Sequence, residues 1–252
     1  MGPVPDSPAR RRVLALSGAY VGLSAVETVL AAHPSRSVRR LRWLTKPLLM
    51  PTLSAAFAAA AADPAREPVS ELPMAQPVLQ RGTAAAQALS WLGDVSLLGK
   101  SEPAFLAGLG SFFGAHVAYV GSFGSAGRPL TDRSNLGGVK AAAGLMTVVG
   151  PAMGYLAGRQ SPKLRWPVVA YAGILSAMYA TSTRLDPSIP EDARRTVVAG
   201  TTLFLASDFT LGLRRFAVKD AGTLSDGLVM ATYTAGQGLI AAGVAKAVRA
   251  RA

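Results

Sequence analysis

Apolar residues dominate long stretches of this chain, and polar residues gather between them. A helix that crosses the hydrocarbon layer needs about 20 mostly apolar residues. On that measure the sequence predicts eight spans, over Val13–Ala32, Pro47–Ala62, Gly82–Leu98, Pro103–Phe123, Gly138–Gly158, Arg165–Thr183, Thr196–Leu213 and Ser225–Val248. The second and third are short and weak alone. Turn formers and most charges fall in the linkers HPSRSVRR, DPAREPVSELP, GRPLTDRSN, RQSPKLR, RLDPSIPEDARR and the stretch around Lys219–Asp220. Gly and Ala are frequent inside the spans, where small residues let membrane helices approach closely. Gly110 and Gly114 make one such spacing in the fourth span. The expectation is an all-α polytopic membrane bundle of about eight transmembrane helices. A single domain over 13–248 follows a basic leader, MGPVPDSPARRR, over 1–12. That leader shows no signal-peptide cleavage site, and its arginines run straight into the first span.

A faint internal repeat accompanies the spans. GDVSLL in the third precedes a span carrying His116 and Tyr119, and SDFTLG in the seventh precedes one carrying Tyr233 and Gln237. Two parallel units of four helices would explain it, because an even number of spans restores the chain direction.

Composition agrees with a membrane protein. Half of the residues are hydrophobic and only 16% are charged, against roughly a quarter in soluble domains. The net charge of +12 would suggest nucleic acid in a soluble protein. Here the basic residues sit between apolar spans, where they anchor loops at lipid headgroups, so no nucleic acid is expected. Both faces carry nearly equal numbers of Lys and Arg, and the positive-inside rule does not orient the chain. Cysteine is absent and His33 and His116 are the two histidines. Thiolate metal sites are therefore excluded, and a His-rich zinc site is not expected.

Ionisable groups at membrane depth are costly and usually face a polar interior. Here they are Glu27, Lys46, Asp94, His116 and Asp208, with Tyr119, Tyr171, Ser207, Tyr233 and Gln237 as polar companions. Helical spacing puts Phe105, Gly108, Phe112, His116 and Tyr119 on one face. It does the same for Gly200, Phe204 and Asp208, for Met230, Tyr233 and Gln237, and for Tyr171, Leu175 and Met178. Several helices thus each offer one mixed stripe, which suits an apolar cavity with a few fixed polar groups. Two carboxylates in such a cavity supply a general acid and a general base, and the sequence does not say which is which. Lys46 either meets a phosphate or neutralises a carboxylate. Glu27 shares a face with Tyr20 and Ser24 and reads as structural.

Taken in order, these residues resemble the YhhN family, which includes the transmembrane lysoplasmalogenases. The resemblance rests on KPLLMP at 46–51, LGDVSLL at 92–98, FLAGLGSFFGAHVAY at 105–119, PVVAY ending at Tyr171, LFLASDFTLGLRRF at 203–216 and VMATYTAGQGLI at 229–240. It implies an eight-helix membrane hydrolase that cleaves the vinyl ether bond of a membrane lysophospholipid, without a cofactor or metal. The family's polar positions fall on Lys46, Asp94, His116, Tyr119, Ser207, Asp208, Tyr233 and Gln237. Asp94 and Asp208 are the expected catalytic pair, with the other six and Tyr171 in support. Two rivals use the same residues. One is a transporter or flippase of lipids or small molecules, and the other a metal-dependent hydrolase built on His116 and both aspartates. The Ala- and Arg-rich composition suggests a bacterial cytoplasmic membrane. The sequence leaves the oligomeric state open.

Overall fold

Short polar caps set where helices begin. Ser7 accepts a hydrogen bond from the Arg10 amide, and Pro8 opens α1 (Pro8–Ala32). Ser101 caps α5 (Glu102–Ser125) in the same way through the Ala104 amide. α8 (Glu191–Phe216) starts with Glu191 and Asp192 and ends with Arg214 and Arg215, matching its macrodipole at both ends. The remaining helices are α2 (Arg36–Arg39), α3 (Arg42–Ala61), α4 (Ala75–Ser96), α6 (Gly137–Gln160), α7 (Arg165–Ser182) and α9 (Gly222–Arg249). This computed structural model describes residues 7–62, 75–129, 131–134, 136–218 and 222–249.

Each predicted span coincides with one long helix. Two details differ. α1 begins at Pro8, five residues before the predicted start of the first span, so Arg10–Arg12 lie in its first turns. The linker HPSRSVRR contains the one-turn helix α2. The linker DPAREPVSELP, the pair Lys219–Asp220 and the first six residues lie outside the described residues.

By length and hydropathy, α1, α5, α6, α8 and α9 are each apolar enough to cross a membrane. α4 falls short for a visible reason. Thr83, Gln87, Ser90 and Asp94 lie on one stripe and are all buried, so its polar face points inward, shielded by α3, α5 and α9. α3 carries Pro47 and Pro51 inside the helix. Pro51 lacks the N–H that would bond the Pro47 carbonyl, and the Trp91 indole of α4 takes that carbonyl instead, at 2.9 Å. This locks the start of α3 against the end of α4.

The packing repeats along the chain. α1 packs on α3 as α6 packs on α7, and α4 on α5 as α8 on α9. Likewise α3 meets α4 as α7 meets α8, and α3 meets α9 as α7 meets α5. The four-plus-four arrangement therefore holds at the level of helix pairs. It breaks most plainly where α1 packs on α9 but, among the described residues, α6 has no comparable contact with α5; α4 also meets α9, and α6 meets α8, without a counterpart in the other unit.

The α8–α9 seam depends on glycine. A Cβ on Gly200 would lie 2.7 Å from the Ile240 amide nitrogen and 2.8 Å from the Gly236 carbonyl. Backbone cannot yield as a side chain tip can. Gly200→Ala is expected to cost about 1–3 kcal/mol, read as a lowered midpoint of thermal unfolding in detergent. Gly110, by contrast, faces open space and Gly114 meets only Leu89, so this pair does not form the close contact its spacing suggested. In α5 that role falls to Gly108, against Leu97.

On the face where α5 and α7 end, two loops are tied together. The Arg128 amide bonds the Arg184 carbonyl and the Asp186 amide bonds the Ala126 carbonyl, at 2.8 and 3.0 Å. The buried Arg184 guanidinium donates to the carbonyls of Pro129, Asp132 and Ser134. Hydrogen bonds from Ser134 and Arg128 hold the Asp132 carboxyl well below the usual carboxylate range.

Candidate active site

Asp94 ends the polar stripe of α4 and is almost fully buried. Lys46, placed by the Pro47–Trp91 contact, puts its Nζ 3.1 Å from Asp94 Oδ1. Tyr233 of α9 donates its hydroxyl to Asp94 Oδ2 at 2.7 Å. Of the two roles open to Lys46, the structure assigns the neutralisation of a carboxylate.

Asp208 sits on α8 in a different setting. Tyr171 of α7 donates its hydroxyl to Asp208 Oδ2. His116 Nε2 is 3.0 Å from that same hydroxyl oxygen and 3.7 Å from Asp208 Oδ2. The other ring nitrogen, Nδ1, lies 3.3 Å from Met178 Sδ. Asp208 keeps 11% of its side chain open, against 2% for Asp94, so it is the more accessible carboxylate.

The two centres correspond under the repeat. Each aspartate lies on the third helix of its unit. Each takes one partner from the second helix of the same unit, Lys46 or Tyr171. Each takes another from the last helix of the opposite unit, Tyr233 or His116. The residue types differ, however: one centre carries a lysine and the other an imidazole. Between them Phe204 packs edge-on against both Tyr233 and His116, with centroids 5.4 and 4.9 Å away.

Both carboxylates line one cavity of about 830 Å³, within the range of roughly 300–1,000 Å³ typical of small-molecule sites. Its wall is mostly apolar. Phe105, Leu109 and Phe112 of α5 and Leu145, Met146 and Val149 of α6 all line it. The space thus occupies the place where the repeat lacks an α5–α6 contact. Lys100, Ser101 and Arg215, lining residues exposed at the end of the bundle where α4 and α8 finish, give it a polar mouth.

The other expected residues divide. Ser207 lines the cavity but spends its hydroxyl on the Val229 carbonyl, at 2.9 Å. Tyr119 and Gln237 lie deeper, outside the cavity lining. Tyr119 donates to Gln237 Oε1 at 3.0 Å, and Gln237 donates to Ser90 Oγ at 2.9 Å. They form a buried crosslink between α4, α5 and α9. Ser90 and Gln87 were missed by sequence reasoning, although the spacing 83, 87, 90, 94 marks them as one helical face. Glu27 is a structural anchor: Arg42 donates to it at 3.0 Å and Thr45 donates to its other oxygen. A three-ligand set from His116 and both aspartates is not formed among the described residues; His116 reaches Asp208, while Asp94 is held by Lys46 and Tyr233.

Fold and site together define an integral membrane helical protein with a polar-floored, apolar-walled cavity. Residues 41–244 match the model of the YhhN family, and the chain belongs to that family. Searches of curated proteins and of solved structures give no match.

Proposed function

We propose that this protein is a lysoplasmalogenase-like hydrolase of the membrane, acting on the vinyl ether bond of a single-chain phospholipid. The observation that carries this reading is the pair of unequal carboxylates on one apolar cavity. Vinyl ether hydrolysis needs a proton donor to carbon, a second group that stabilises the resulting cation, and room for a hydrocarbon chain. Family membership is consistent with it. A bacterial cytoplasmic membrane is the proposed location.

Asp208, the more open carboxylate, is the proton donor. Its proton bonds to the β-carbon using the C=C electron pair, which leaves an oxocarbenium ion across the α-carbon and the ether oxygen. Water attacks the α-carbon and its proton returns to Asp208. The hemiacetal then passes its hydroxyl proton to the glycerol oxygen as the C–O bond breaks, releasing a fatty aldehyde and a glycerophospho-alcohol. His116 and Tyr171 hold Asp208 in place and link it to a second proton-carrying group. Asp94, fixed by Lys46 and Tyr233, is the charge that stabilises the cation and orders the water.

The deciding test is purified protein in detergent with lysoplasmenyl-ethanolamine, with aldehyde measured against acyl lysophosphatidylethanolamine as the control. Aldehyde from the first alone is the expected result; none from either, with lipid moved unchanged across a vesicle membrane, would favour the transporter that the four-plus-four arrangement also suits. Tyr171→Phe removes a hydrogen bond to Asp208 worth about 1.5–3 kcal/mol, which corresponds to a rate lower by roughly 10- to 100-fold. The expected loss is in kcat and not in KM, measured by steady-state aldehyde release.

A further inference from the structure

Five cations line the cavity, and three already have an acidic partner. Lys46 pairs with Asp94, Arg42 with Glu27 and Arg214 with Asp226. Lys100 and Arg215 pair with no carboxylate among the described residues, and both are exposed at the mouth. Arg215 is held in position by the Phe105 ring, with its guanidinium carbon 5.0 Å from the ring centroid.

Arg215 also borders a second space. A recess of about 690 Å³ lies against the ends of α6 and α8, and Leu211, Arg214, Arg215 and Phe216 line both spaces. Arg159 contributes a further cation to the recess, and no carboxylate lines it among the described residues. Gln160 caps the end of α8 there, donating to the carbonyls of Arg215 and Phe216, so fewer bare carbonyl oxygens face the recess.

The depth of this mouth is marked by tryptophan. Trp43 and Trp166 each sit in the first turn of α3 and α7, and Trp91 near the end of α4. All three belong to the end of the bundle that carries the mouth, and all are exposed. Trp concentrates at the level of lipid headgroups. Unpaired arginines at headgroup level, beside an apolar cavity, match a lipid whose phosphate stays at the interface while its chain enters the bundle.

We propose that Arg215, flanked by Arg159 and Lys100, binds the phosphate of the single-chain lipid whose tail fills the cavity. The site confers preference for phospholipid over a phosphate-free monoradyl glycerol. This assignment rests on the lipid-hydrolase reading for its substrate, and it is tested by binding, which does not require turnover. The probes are lysophosphatidylethanolamine, monoacylglycerol and water-soluble glycerophosphoethanolamine, titrated into wild-type protein in detergent. Arg215→Gln is expected to weaken lysophosphatidylethanolamine about tenfold or more and to leave monoacylglycerol unchanged. Arg159→Gln, at an exposed position, is expected to give a smaller loss of the same selectivity, which guards against a folding defect in the Arg215 variant. Arg215→Lys recovers part of the affinity. Equal weakening of both lipids, or of neither, by both Gln variants would overturn the site. Glycerophosphoethanolamine binding as tightly as the whole lipid would overturn the lipid as its source in favour of a free phosphate ester. If aldehyde release fails in every protein while the binding pattern holds, the hydrolase reading falls and the phosphate site stands.

Discussion

Asp208→Asn is expected to lower aldehyde release by about 10²–10⁴-fold, the range supplied by a positioned general acid, and to leave the protein folded. The second half of that expectation comes from the partners of Asp208. Tyr171 donates to it, and His116 reaches the same Tyr171 hydroxyl oxygen. An asparagine oxygen can accept the same Tyr171 bond, and among the described residues no lysine or arginine is paired with Asp208 and left without a counter-charge. The stability cost is therefore about that of one adjusted hydrogen bond, about 0.5–1.5 kcal/mol. The measurement pairs kcat for lysoplasmenyl-ethanolamine with the thermal midpoint of the same preparation. A variant with kcat within a few-fold of the native value removes Asp208 from the chemistry. A variant that loses activity only because it unfolds contradicts the packing described above.

How much of this was legible in the sequence depends on the kind of signal. Length and hydropathy place all eight long helices, because the bilayer demands a minimum apolar run and little else. Even the weak spans come out correctly as weak: α4 fails a hydropathy measure because its buried face is Thr83, Gln87, Ser90 and Asp94. The helical faces assigned to His116, Tyr171, Asp208 and Tyr233 also meet in space, since 3.6-residue periodicity is local and survives tertiary packing. Partnership is not local. Nothing in TKPLLMP says that Lys46 meets Asp94 and not a phosphate. That choice comes from Pro51 freeing the Pro47 carbonyl for Trp91. The Gly110–Gly114 spacing failed for the same reason. A small-residue motif states that close approach is allowed, and only the neighbour's position decides whether it is used. An apolar cavity with polar groups was expected from the stripes, but its place between α5 and α6 was not legible, because which helix pairs stay apart is decided by tertiary packing.

The Lys46–Asp94 pair carries the largest expected effect on stability. Its members are 8% and 2% exposed and 3.1 Å apart. Removing one partner of a buried ion pair strands the other charge, at a cost of about 3–5 kcal/mol. Asp94→Asn strands Lys46, and Lys46→Met leaves the carboxylate with the Tyr233 hydroxyl alone. Lys46→Met with Asp94→Leu removes both charges and is expected to regain most of the lost stability, since apolar groups of similar volume often replace such pairs at little net cost. The coupling is read from a double-mutant cycle of unfolding free energies in detergent. Activity is expected to behave differently: all three variants stay inactive, because the cation-stabilising carboxylate is either gone or displaced. Stability rescued without activity separates what the pair does for the fold from what Asp94 does for the reaction. Additive single effects would mean that Lys46 and Asp94 act independently, and would reopen the headgroup as the partner of Lys46.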